Sequence, residues 1–334
     1  MDLREVAADE VPQAGVPLIA FGARQPDAVE TWADDPGPAL PAGAQIRGGS
    51  GALQEQSRCP FRGFARARLN AWSLNGPVDG IPARERGNRA HELMEMSWDE
   101  VGGSRGLAEL DDAALEATLM RLAAPIYARY ARRRPDLDAM LVTEQRLMVR
   151  RAATLIASER DRPEFTTASE KHESVTVGGA ALRLKLDRVD RHADGRITII
   201  DYKTGRQDDG PWFGDRPDMP QLPLYAVTQG SAVRAVAVAS LHARTTAFIG
   251  VAADADLLPG IGAFDERDRR RRRDADDFEG QMTHWREVLT RLGEELLDGR
   301  ADPSPSQGAC ATCDLAAFCR IDELMARDED DDDG

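Results

Sequence analysis

The stretch "RITIIDYKTGR", residues 196–206, decides the fold. Ile197, Thr198, Ile199 and Ile200 are β-branched, as suits a buried strand. Asp201, Tyr202 and Lys203 follow at once, and Thr204-Gly205 breaks the strand. Asp201 and Lys203 are two apart, so on a strand both project from one face. Of the 43 basic residues only three are Lys, at 171, 185 and 203; the rest are Arg. A Lys beside Asp201 therefore suggests a task that Arg performs poorly, because Lys can lose its proton and Arg effectively cannot.

Upstream, "ALRLKLDRVD" reads as the preceding strand, and the connection "RHADGR" carries an Asp-Gly hairpin signal. The loop length sets the chemistry. A three-residue loop Ala193-Asp194-Gly195, with Gly195 left-handed, pairs His192 with Arg196. Asp187 then lies opposite Asp201 on the same face. A two-residue turn would send the two carboxylates to opposite faces. The three-residue loop is the expectation. Two acids beside a Lys can hold a divalent ion such as Mg²⁺, which takes oxygen ligands. The alternative is a surface hairpin with an ion pair.

Strand signals begin near Phe165, with "SVTVGG" before the central pair; "AVRAVAVASLHA" and "TTAFIGVA" come after it. A helix carrying "MPQLPLYAVTQG" separates the two groups. Helical patterns start at Ser50, with a break at Cys59-Pro60, and recur over about 83–98, 111–133, 137–160 and 276–298. This order predicts an α/β fold: a central mixed β-sheet flanked by helices, with a helical region built from both chain ends. Residues 1–50 are rich in Pro, Gly and Ala and read as a flexible arm. Residues 308–325 form a compact Cys-containing segment. Residues 328–334 read as an acidic, disordered tail.

The 334 residues are 42% hydrophobic and 30% charged, which fits a folded globular chain. No apolar run is long enough to span a membrane, and residues 1–15 lack a signal-peptide pattern, so a cytoplasmic location is expected. The net charge of −15 is concentrated at the ends; residues 51–327 carry only −4. That balance leaves nucleic-acid binding open. No GxxxxGK[ST] phosphate loop occurs, so no ATP-driven motor is encoded.

Two weaker signals complete the pattern. "RERGNRAHELME" places Gly87 and His91 one helical turn apart, with Gly87 expected to clear space beside the imidazole. "QLPLY" places Gln221 and Tyr225 on one helical face. G-x-x-x-H, D-R-V-D, D-Y-K-T-G and Q-x-x-x-Y, in this order, resemble the RecB/AddB-like nucleases of the PD-(D/E)XK (restriction-endonuclease-like) superfamily. The resemblance covers roughly residues 50–325. It implies that His91, Asp187, Asp201 and the Tyr202 backbone carbonyl bind Mg²⁺ or Mn²⁺. It implies Lys203 as the catalytic lysine, with Gln221 and Tyr225 as active-site residues. Leu184 departs from the pattern, since many relatives have Gly there. The implied nuclease domain is 51–327, with its catalytic core at about 164–250.

Cys59, Cys310, Cys313 and Cys319 are the only cysteines, the last three spaced C-x₂-C-x₅-C. Such spacing suits a metal with thiolate ligands, zinc being the generic choice. The remote Cys-Pro-Phe plus C-x₂-C-x₅-C resembles the [4Fe–4S] staple of the AddB branch. That resemblance implies an iron–sulfur region formed by about 55–70 and 308–325. "RCPFRGFARARL" suggests Arg58, Arg62 and Arg66 as phosphate contacts on a DNA path, and the arginine run 267–273 is a second candidate.

The expected function is metal-dependent DNA hydrolysis at ends or on single strands, in repair or recombination, with DNA and a separate helicase subunit as the expected partners. The alternatives are a non-catalytic DNA-binding scaffold subunit and a CRISPR-associated nuclease of the same superfamily.

Overall fold

The computed structural model describes residues 37–321, apart from 75, 77, 208 and 265–272. The arm up to residue 36, most of the arginine run and the acidic tail lie outside the described residues. In chain order the helices before the sheet are α1 (Ser50–Arg58), α2 (Pro60–Gly63), α3 (Ala83–Val101), α4 (Ser104–Ala108), α5 (Asp112–Ala131) and α6 (Asp138–Ala157). The strands are β1 (Phe165–Val177), β2 (Ala180–His192), β3 (Ile197–Lys203), β4 (Val233–His242) and β5 (Thr245–Ala252). Helix α7 (Gln221–Gln229) connects β3 to β4; α8 (Phe278–Asp298) and α9 (Ala316–Cys319) follow the sheet.

The five strands lie in sequence order, β1-β2-β3-β4-β5. All neighbours are antiparallel except β3 and β4, which are parallel. A parallel pair needs a crossover, and α7 supplies it. The central strands are apolar on both sides. Ile200 and Tyr202 of β3 and Ala237 and Leu241 of β4 pack in one cluster with Trp98, Leu119 and Met148. Ile199 of β3 and Val236 and Val238 of β4 pack in another with Leu53, Leu224 and Trp285. The sheet is thus sandwiched, with α3, α5 and α6 on one face and α1, α7 and α8 on the other.

Local chemistry fixes the element ends. Asp111 caps α5 by accepting from the Ala114 N–H at 2.8 Å, and Asp277 caps α8 through the Gly280 N–H at 2.6 Å. Gly178-Gly179 close the β1–β2 hairpin at positive φ, as a two-residue turn requires. Between β2 and β3 the three-residue loop is present. His192 N–H donates to Arg196 O at 2.9 Å, Gly195 N–H donates to His192 O at 3.0 Å, and Gly195 has φ 88°. The pairs Asp190↔Thr198 and Arg188↔Ile200 carry the expected register.

Three expectations need correction. Residues 37–49, expected as part of a loose arm, are hydrogen-bonded to the body: Leu40 N–H to Leu297 O at 2.7 Å, Gly43 N–H to Gly179 O at 2.8 Å, and Ile46 N–H to Ala181 O at 2.9 Å. A Gly/Pro-rich chain pairs through its backbone without side-chain periodicity, which hid the attachment. Gly87 does not make room inside the protein, since a Cβ there would meet nothing within 4 Å. Its carbonyl instead accepts from His91 Nδ1 at 2.8 Å.

The third concerns Arg58, Arg62 and Arg66, which are committed to partners within the chain. Arg58 makes a two-point contact with Asp218, at 2.5 and 3.1 Å. Arg62 is buried and bonds Glu55 at 2.8 Å and Ala309 O at 3.2 Å. Arg66 is buried, bonds Asp314, and stacks on Trp72 at 4.4 Å. All three guanidiniums are already paired with carboxylates, and Arg62 and Arg66 are buried as well, which leaves them poorly placed as phosphate contacts.

Candidate metal-dependent active site

The six candidate side chains come from four elements, and the sheet brings them together. Helix α3 supplies His91, β2 supplies Asp187, and β3 supplies Asp201 and Lys203. Helix α7 supplies Gln221 and Tyr225. They line one cleft of ≈ 680 Å³ at the carboxyl end of β3. A crevice there is where open α/β sheets place ligands.

The contacts are short and interlocked. The β2–β3 pairing ends at Arg188↔Ile200, one step before Asp187 and Asp201. The Asp187 carboxylate takes over there, accepting from the Tyr202 N–H at 3.0 Å. His91 Nε2 lies 2.9 Å from the Oδ2 of Asp187. Lys203 Nζ lies 2.6 Å from the Oδ2 of Asp201. Gln221 joins the groups: its Nε2 is 2.9 Å from Asp201 Oδ1 and 2.9 Å from the Tyr225 hydroxyl, and its Oε1 accepts from Lys203 Nζ at 3.3 Å. The Tyr225 hydroxyl donates to Lys185 O at 2.7 Å.

Burial and charge set the protonation. Burial pushes the Asp201 carboxyl up to about 6; Lys203 opposes the rise and the neighbouring Asp187 adds to it. Burial also pushes Asp187 upward, but the hydrogen bond and charge of His91 outweigh it, leaving its carboxyl below the usual range. His91 is raised, because Asp187 overcomes the opposing effect of burial. Lys203 is raised too: burial works against its charge, and Asp201 more than restores it. Lys203 is therefore an ammonium here.

The donor set fits a hard divalent cation: two buried carboxylates, one of them uncomfortable as an anion, beside an imidazole. His91 spends Nδ1 on the Gly87 carbonyl, which leaves Nε2 facing the carboxylates. Here the carboxylate oxygens are engaged by His91 and Lys203. Among the described residues no three His, Cys, Asp or Glu side chains converge as a metal-holding group.

The same holds for the cysteines. Their segments do meet: Ser306 N–H donates to Arg58 O at 2.8 Å, and the Phe61 and Phe318 rings lie 5.3 Å apart. Cys59 is buried, Cys310 is exposed, Cys313 and Cys319 are half-buried, and none forms a disulfide. Burial pushes the Cys59 thiol up, and Cys319 adds to the rise. Those two are neighbours, but the four sulfurs are not assembled around a cluster.

Asp190, three residues beyond Asp187, points to the other face. It forms a buried network with Glu159, Arg162 and Arg188, all at most 1% exposed by side chain. The Arg188 guanidinium lies 3.7 Å over the Trp98 ring. Sequence reading missed this network. It also missed Arg183, Lys185, Glu92 and Glu95 as cleft residues. Strand alternation could have found the first two, since 183, 185 and 187 share one face.

A model of the PD-(D/E)XK nuclease superfamily matches residues 51–320. The chain belongs to that superfamily. Membership implies a nuclease, of a class that typically uses a divalent metal to hydrolyse phosphodiesters. No curated protein matches the sequence. Among the described residues no helix is long and apolar enough to cross a membrane.

Proposed function

We propose that this chain is a Mg²⁺- or Mn²⁺-dependent deoxyribonuclease of the RecB/AddB-like branch, acting on DNA ends or single strands during repair or recombination. One observation carries the reading: Asp187, Asp201, Lys203 and His91 face one cleft, with His91 against Asp187 and Lys203 against Asp201. In this reading Asp187, Asp201, His91 and the Tyr202 carbonyl hold the ion. A bound divalent ion supplies a water of lowered pKa and neutralises phosphate charge.

The chain's own groups do the rest. Lys203, held as a cation by Asp201 and Gln221, donates to a phosphate oxygen or orients the attacking water. Gln221 fixes Asp201 and Lys203 relative to each other. Tyr225 stays protonated, because burial raises its hydroxyl, and it holds Gln221 against the Lys185 carbonyl. Cys59, Cys310, Cys313 and Cys319 are proposed as ligands of a [4Fe–4S] cluster that ties the chain ends. Their spacing and the meeting of their segments support this. Anaerobic purification decides it: a colourless, zinc-containing protein would remove the claim.

The activity test is digestion of labelled single- and double-stranded DNA with Mg²⁺ or Mn²⁺. Asp201→Ala and Lys203→Ala should lower the rate by at least about a hundredfold, the scale of losing one electrostatic group. No cleavage by the wild type, or equal cleavage by the variants, would sink the enzyme reading.

A further inference from the structure

One buried charge has no part in the chemistry proposed above: the guanidinium of Arg188, which follows Asp187 on β2. All its nitrogens are engaged. Nε donates to Asp190 Oδ1 at 2.7 Å and Thr167 Oγ1 at 3.1 Å. Nη1 donates to Glu159 Oε1 at 2.9 Å, and Nη2 to Glu159 Oε2 and Asp190 Oδ2, both at 2.7 Å. Arg162 bonds the same two carboxylates, so two cations face two anions. Taking such charges out of water costs much of what their attraction returns, so the group is a weak source of stability. What it supplies is one fixed geometry.

That geometry reaches the three elements that carry His91, Asp187 and Asp201. On β2, Arg188 is bonded directly to Asp187, and its backbone pairs with Ile200, the residue before Asp201 on β3. On α3, the buried Trp98 ring has its centre 3.7 Å from the guanidinium, a contact held by the ring's electron-rich face. Trp98 stands seven residues after His91, two turns along the same helix face. On β3, the buried Tyr202 joins the two. Its ring meets the His91 ring edge-on, with centres 6.2 Å apart. Burial pushes the Tyr202 hydroxyl upward in pKa, and the neighbouring Arg188 opposes that rise.

We propose that Arg188 is a positioning residue. Clamped by Glu159 and Asp190, it fixes α3, β2 and β3 relative to one another, so that His91, Asp187 and Asp201 form a preset group of donors for a divalent ion. Buried as it is, Arg188 touches neither the ion nor DNA. The planar fork of an arginine suits this task, because it sets direction as well as charge. The proposal rests on the reading of His91, Asp187 and Asp201 as the residues that hold the metal.

The test is Mn²⁺ binding to the full chain, read by electron paramagnetic resonance of the free ion. A second readout is the imidazole nitrogen signals of His91 in the metal-free chain, assigned with His91→Gln. Combining Glu159→Gln with Arg188→Gln removes one charge of each sign and leaves the Arg162–Asp190 pair. Arg188→Lys keeps the charge but loses the fork and the stacking. Each should weaken Mn²⁺ binding about tenfold, shift or broaden the His91 signals, and lower kcat with the KM for DNA largely kept. Trp98→Leu should do the same, and Trp98→Phe should restore most of the binding. Leu292→Ala, in the core cluster on the other face of the sheet, is the control. It should lower the melting temperature yet leave Mn²⁺ binding and the His91 signals as in the wild type. If the network variants bind Mn²⁺ like the wild type, or Leu292→Ala weakens binding as much as they do, Arg188 serves stability alone and the proposal fails. If the double variant does not fold, Arg188→Lys and Trp98→Leu decide by the same criteria. If the wild type itself binds no Mn²⁺, the reading of the metal site fails, and the positioning role falls with it.

Discussion

Lys203 entered the sequence reading as a residue able to give up its proton. In the folded chain the opposite holds: Asp201 keeps it charged against burial. The strained partner is Asp201, whose carboxyl is raised from 3.8 to about 6. Between those values the folded state binds more protons than the unfolded one. This group's contribution to stability therefore falls as pH rises from about 4 to about 6. A metal ion competes for the same oxygens. Affinity for Mn²⁺ should climb about a hundredfold per pH unit below pH 6, where Asp201 and His91 both hold protons, more gently above it, and flatten once His91 too has released its proton. Calorimetric titration between pH 5 and 8 checks this, and a flat profile would count against it. Lys203→Met removes the charge that opposes the rise, so the same curve should move to higher pH. Asp190 is different in kind. With Arg162 and Arg188 it is an interior ion network, so Asp190→Asn should cost about 3–5 kcal/mol by urea unfolding. The sequence could not separate the two aspartates by burial. It favoured Asp187 through the expected register with Asp201 and through the family resemblance, and in the folded chain the odd spacing of Asp187 and Asp190 sends them to opposite faces.

At the scale of elements, the hairpin between β2 and β3 was legible because its turn has few solutions. Gly195 at φ 88° and the His192–Arg196 hydrogen bond are those of the three-residue loop. Deleting Ala193 would leave a two-residue Asp-Gly turn and shift one strand by one residue. Asp187 and Asp201 would then face apart, and nuclease activity should vanish while circular dichroism still shows a folded chain. Gly195→Ala is the control. A Cβ there meets nothing within 4 Å, so only the left-handed backbone is penalised, by about 1 kcal/mol, and activity should survive. A deletion variant that cleaves DNA normally would mean that the register does not matter. Helices and strands with clear periodicity were equally legible. The backbone-paired run 37–49 was not, because it has no periodic side-chain pattern. Arg62 and Arg66 misled for a related reason: arginines beside aromatics look the same in sequence whether they face solvent or are buried against Glu55 and Asp314.

For the molecule as a whole, the two ends of the domain depend on each other. Residues 37–46 lie along β2 and the end of α8, and residues 302–309 bond to α1 and α2. Removing residues 301–334 should therefore loosen α1, whose first residue lines the cleft, and lower activity although none of His91, Asp187, Asp201 and Lys203 is lost. Faster hydrogen exchange across 50–63 in the truncated chain would show it; unchanged exchange there would not fit.

That closure has a temporal consequence. During synthesis, His91, Asp187, Asp201 and Lys203 all leave the ribosome before the segment that secures α1. The Arg58–Ser306 hydrogen bond can form only after all four of those residues have been made. A nascent chain should thus keep α1 loosely held until the segment 302–309 has emerged and bonded to it.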